Sequence, residues 1–261
     1  MKGLVNMSKA INYSEFRGFL KANNLSEACQ YYDSLYDALI LYMPISLGLA
    51  KEMANIIIKN EELFKDNMNN VIQEQINNGS VMPSYQPKKS DIPQNMCAFG
   101  ELNLPANLML KKSIYDFFHW SKICLELPLQ IINAIMDSTN RVEESKVTMA
   151  QIKKQMEKDS RLAPLLVILK RMEDDVEFKY IRAFDNSAKH IRLVSTEVPT
   201  IQFGIGKEPP LRFSIGEFSH RDFSSGRVDA LIKIDECAAF VSEITYLILL
   251  EIQRMISSEI L

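Results

Sequence analysis

The stretch "RVDALIKIDECAAFVSEITYLILLEIQRMISS", Arg227 to Ser258, decides the fold. It is strongly apolar and predicts a single helix of about eight turns by rise per residue. Glu243 and Glu251 interrupt the apolar run "CAAFVSEITYLILLEI", so the segment reads as a core helix and not as a membrane span. A helix with so much apolar surface needs other helices to bury it.

The rest of the chain supplies them. Its 261 residues include only 9 Gly and 10 Pro against 13 Met, and so few punctuators favour helices over a many-stranded β fold. A first helix is expected over Tyr13 to Ala22. Ser26 opens a second, which runs through Pro44 with a kink or break and ends at the Asn-Asn-Gly of 77–79. Helix returns from Ala106 to about Ser138, with a second kink expected at Pro128. Thr148 is placed to cap "MAQIKKQMEKD", and another helix is expected from about Ser160 to about Leu193.

Two segments break this pattern. "SVMPSYQPKKSDIPQNMCAFGELNLP", about 80–105, has no sustained period and reads as a long surface loop. "TIQFGI" and "LRFSIGEF" flank the turn "GKEPP" and predict a β-hairpin at about 198–219. The expected architecture is mainly α: one domain over 1–261, a multi-helix bundle of long, partly Pro-kinked helices with a small β-hairpin before the last helix.

Hydrophobic residues make up 47% and charged residues 24%, as in an ordinary folded protein, and the formal net charge is −3. No global charge calls for nucleic acid or an anionic membrane, so any anion site must be a local patch. The best membrane candidate, "ALILYMPISLGLA" at 38–50, is short and holds Pro44, so it reads as a buried helix. Cys29, Cys97, Cys124 and Cys237 lie far apart with no C-x-x-C pair. With no secretory signal, they suggest a reducing cytoplasmic setting. The three histidines, His119, His190 and His220, lack metal-ligand spacing, so no metal and no cofactor is expected. "FGIGKEPP" runs into Pro-Pro and not a helix, which excludes a P-loop.

The stretch that invites a functional reading is "EFKYIRAFDNSAKHIRLV", Glu177 to Val194. On a helix, Ile181, Phe184, Ala188 and Ile191 share one side and face a core. Arg182, Asp185, Asn186, Lys189 and Arg192 share another, with His190 at its border. This strip is either the solvated face of the helix, basic late to suit its dipole, or a face that meets a ligand. A second cluster, His220, Arg221 and Asp222 in "FSHRDF", is flanked by Phe218 and Phe223. It reads either as a phosphate- and base-binding group or as a β-to-helix connection capped by Asp222 or Ser224/Ser225. His119 in "DFFHW" sits on an apolar helix and reads as a hydrogen-bonded core or edge residue.

"FDNSAKH" on one helix of an α-bundle, with a further long helix behind it, resembles the signature region of the HEPN superfamily. That resemblance implies a small helical bundle, often dimeric, either a metal-independent endoribonuclease or a non-catalytic RNA- or nucleotide-binding module in defence or toxin systems. The motif is an Arg, then a polar residue, then a His; Asn186 and His190 match the last two. Asp185 stands at the Arg position, and Arg182 lies eight residues before His190, outside the spacing. The resemblance implies that His190 serves as a general base, with Asn186 and Arg182 beside it. Lys189, Arg192, His220 and Arg221 would contact RNA or a nucleotide. An Asp in place of the Arg would repel phosphate, so binding is expected over cleavage. A helical protein-interaction module, with the 80–105 loop meeting a protein partner, is the other reading.

Overall fold

The structure, a computed structural model, describes residues 12–88, 95–99, 101–190, 195–197 and 213–258. Helix α1 spans Tyr13–Ala22, and Asn12 caps it by accepting from the Ser14 and Glu15 amides. Helix α2, Ser26–Asp37, leads through a π-helical turn, Ala38–Tyr42, into α3, Met43–Asn77. Pro44 causes this join. It has no N–H for the carbonyl four residues back, and its ring would collide with that carbonyl in an α-helix. The Met43 amide instead donates to Ala38 O, five residues back, and the wider turn makes room. The expected break is therefore a change of helical pitch.

Among the described residues one helical run, Ser26–Asn77, is long and apolar enough to cross a membrane by length and composition. Leu35, Ala38, Met43, Ala50, Met53 and Ile57 from that run lie in the bundle core. Beyond Phe64, α3 buries no side chain, and Phe64 meets Tyr85 edge-on at 6.0 Å.

The expected 80–105 loop carries a hairpin. Strands β1, Met96–Phe99, and β2, Leu102–Pro105, pair antiparallel with Phe99 opposite Leu102. The hairpin is tied to the bundle where Asn60 Nδ2 donates to Asn95 Oδ1 at 2.9 Å.

Helix α4, Ala106–Ile135, is the axis of the molecule and packs against α2, α3, α7 and α8. It runs through Pro128 without ending and stops three residues short of expectation. Asn133 closes it by exchanging two hydrogen bonds with the Val142 backbone, 2.9 and 2.8 Å. Helix α5, Met149–Met156, begins where the Thr148 hydroxyl accepts from the Gln151 amide.

The helix expected from Ser160 to Leu193 is two helices, α6, Ala163–Asp174, and α7, Val176–His190. Asp175 separates them in an extended conformation, and its carboxylate accepts from the Glu177 amide at 2.8 Å. An aspartate followed closely by an acidic first turn is capping chemistry, and it starts a new helix here.

Strands β3, Thr196–Glu197, β4, Ser214–Ile215, and β7, Val228–Asp229, form a small antiparallel sheet in the order β3-β4-β7. Between β4 and β7 lies a separate hairpin, β5, Phe218–His220, and β6, Phe223–Ser225. Most of the expected hairpin at 198–219 falls on residues 198–212, outside the described ones. Helix α8, Ala230–Ser257, closes the fold as the opening stretch predicts. Its cap is Asp229, which accepts from the Leu231 and Ile232 amides at 2.9 Å, and not Asp222, Ser224 or Ser225.

Candidate functional site at the α4–α7 contact

Helix α7 is buried on most of its circumference. Phe178, Tyr180, Ile181, Ala183, Phe184, Asp185 and Ser187 are all buried, which leaves a narrow strip with Lys179 and Lys189 exposed. Rings account for much of this. Phe184 packs on Phe118 of α4 at 4.2 Å and edge-on to Phe218 of β5 at 5.6 Å, 89°. These aromatic contacts set the axial position of α7 between α4 and the β5–β6 hairpin.

That position carries Asp185 into the helix contact, not into solvent. Its side chain is 4% exposed and collects three partners. His119 Nδ1 lies 3.2 Å from Oδ1, Lys122 Nζ donates to Oδ2 at 2.9 Å, and Lys189 Nζ stands 3.0 Å from Oδ2. Lys122 also donates to Asn186 Oδ1 at 2.8 Å. Burial pushes the Asp185 carboxyl up, but the bonds and charges of Lys122 and Lys189 outweigh it and hold it below the ordinary aspartate value.

The expected exposed strip of Arg182, Asp185, Asn186 and Lys189 is thus divided. Asp185 is the buried hub, while Asn186 and Lys189 stand at its edge. Arg182 lies over the Phe178 ring, 5.3 Å from its centroid. His190 ends α7, with its side chain outside the described residues, and Arg192 also lies outside them. His220 and Arg221 sit at the β5–β6 turn, which is therefore a hairpin tip and not a β-to-helix connection. Arg221 has φ 53°, a left-handed conformation that costs a non-glycine residue about 1 kcal/mol. The tip rests on α7, where Ser187 Oγ donates to Ser219 O at 3.3 Å.

Two members were not in the expected set, His119 as a site residue and Lys122 at all. Both lie on α4, and their spacing of three places them on one face. A histidine and a lysine set among the mostly apolar residues of "FFHWSKICL" is the signal that points to them. His119 is 41% exposed and Lys122 only 14%. A carboxylate beside Nδ1 favours the tautomer with the proton there, which leaves Nε2 free to accept. The cluster can therefore hold an anion with its lysines and accept a hydrogen bond on the imidazole. Glu126, 3.8 Å from Lys122 and more than half exposed, is a second carboxylate beside that lysine, after Asp185.

The imidazole borders an aromatic pair. His119 and Trp120 have centroids 5.5 Å apart, and Trp120 stacks on Tyr42 of the π-helical turn at 4.3 Å and 14°.

The start of α7 has its own anchor. Lys233 of α8 donates to both Glu177 oxygens at 3.0 and 2.9 Å, and the Cys237 thiol donates to Glu177 Oε2 at 3.2 Å. Burial, then the Glu177 charge, pushes the Cys237 thiol well up, so it stays protonated and inert. No group of His, Cys, Asp or Glu suited to a metal ion occurs among the described residues.

No family model matches the sequence, and comparison with curated proteins and with solved structures gives no match to it.

Proposed function

We propose that the protein binds RNA or a nucleotide through the α4–α7 face, as a HEPN-like module whose primary role is binding. One observation carries this reading: Lys122, Lys189 and His119 converge on the single buried carboxylate of Asp185. Gathering two ammonium groups and an imidazole at one helix contact is more than fastening two helices requires. Asp185 at the place of the motif Arg then does not face a phosphate. It fixes the groups that would, and the two ammonium groups keep donors to spare.

Direct titration with a labelled RNA tests this. Binding is expected to weaken as salt rises, with the log–log slope set by the phosphates contacted. Lys189→Ala is expected to reduce both affinity and slope while leaving Tm nearly unchanged, because Lys189 is partly exposed. Salt-independent binding, or an unaltered slope in that variant, would overturn the reading. Sedimentation with and without RNA tests the homodimer that belongs to the same proposal.

A second reading has an observation of its own. Val81 and Met82, just beyond α3, are almost fully exposed, and Leu102 on β2 is largely so. Apolar residues displayed this way suit a protein partner. Deleting 81–88 would then abolish capture of that partner and leave RNA binding intact.

A further inference from the structure

We infer that the Tyr42–Trp120 ring pair is a stacking platform for an unpaired base in a strand whose phosphates are taken further along by Lys122 and Lys189. The ligand class is then single-stranded RNA, and not a duplex. The inference rests on the reading above and narrows it.

Buried aromatic pairs among the described residues cross steeply, such as Phe117 on Phe118 at 77° and Tyr180 on Phe218 at 83°, or stand well apart where nearly parallel, as Tyr180 and Phe184 do at 16° and 6.5 Å. Tyr42 and Trp120 are closer and more open. They lie at 14° with centroids 4.3 Å apart, and Tyr42 is 41% exposed. The π-helical turn produces this exposure: the segment Ile40, Leu41 and Tyr42 is turned outward, while Ala38 and Met43 on either side are buried. Tyr42 therefore offers ring surface to solvent with Trp120 backing it.

A chain of contacts leads from the platform to the cations. Trp120 adjoins His119, His119 meets Asp185, and Asp185 holds Lys122 and Lys189. An aromatic surface with positive charge further round the same helix complements a strand of bases and phosphates. An apolar protein partner would not call for the lysines, and a base pair inside a duplex could not lie on the ring. Stacking tolerates all four bases, so little sequence preference is expected.

The chain has one tryptophan, so Trp fluorescence reports this site alone. The full-length protein is titrated with single-stranded oligouridylate and oligoadenylate, a duplex RNA of equal length, inorganic pyrophosphate, and anionic phospholipid vesicles. Fluorescence and, for the RNAs, anisotropy are recorded. Both single strands are expected to quench Trp120 in step with binding. Tyr42→Ala is expected to weaken them roughly tenfold, while Tyr42→Phe keeps the affinity. Pyrophosphate is expected to bind without the Tyr42 dependence.

Equal affinity for duplex and single strand without quenching would overturn the platform and leave RNA binding standing. Quenching by vesicles but not by RNA would overturn it in favour of a lipid surface. Absence of binding to every RNA would remove the underlying reading as well.

Discussion

Asp185 is a carboxylate set among cations. Along the chain it is one negative charge on a strip that also carries Arg182, Lys189 and Arg192. In the fold it is buried and organises two lysines and a histidine, so its charge is spent within the protein. Because its carboxyl is held below the ordinary value, the ionised form stabilises the native state above about pH 4. That contribution disappears as pH falls through the lowered native value. Asp185→Asn is therefore expected to cost about 3 kcal/mol at neutral pH, since it leaves the mostly buried Lys122 without its counter-charge. Thermal melts of both proteins should converge as pH drops below about 4. A constant gap across that range would show that the carboxylate charge is not what holds the cluster. None of this was legible locally, because His119 and Lys122 stand 66 and 63 residues away along the chain. Arg182, Asn186 and Lys189 were legible because one helix suffices to put them together.

At the scale of elements, legibility followed local chemistry. The Tyr13–Ala22 helix, the Ala106 start of α4, the Thr148 cap and the final helix all announce themselves through punctuation close to their ends. The α6–α7 break did not, because Asp175 lies in an acidic run that also suits one continuous helix. It is the cap, and Asp175→Ala is expected to destabilise the protein by about 1 kcal/mol and to fray the first turn of α7. Denaturant melts and circular dichroism would register the loss. An unchanged midpoint would mean that the Lys233–Glu177 pair alone positions that turn. Hairpin β1–β2 escaped notice for another reason. Its residues are mostly exposed on both faces, so no buried side imposes an alternating pattern on the sequence.

Across the whole molecule, burial is concentrated around α4 and α8, whereas α3 beyond Phe64 buries nothing. Native-state hydrogen exchange should therefore rank the amides. Those of α4 and α8 are expected to exchange only through global unfolding, and those of Lys65 to Asn77 through local opening at far lower free energy. Uniform protection along α3 would contradict this and point to a partner covering its distal half. The α4 half of the candidate site, His119 and Lys122, lies within the part expected to exchange slowly, so its geometry is set before any ligand arrives.

The pitch change ahead of Pro44 carries a consequence for the gene as well as for the protein. A π-helical turn is an α-helical segment holding one residue more than the helix needs. Removing one residue from Ala38–Tyr42, together with Pro44→Ala to restore the missing amide, would return the segment to ordinary pitch. The inward faces of α2 and α3 would keep their bearings. The same single-codon deletion within α4 would turn every following side chain by about 100° and scramble the core. The turn is thus a place where the reading frame of side chains can shed a residue without losing the fold, and what it would forfeit is the outward ring of Tyr42.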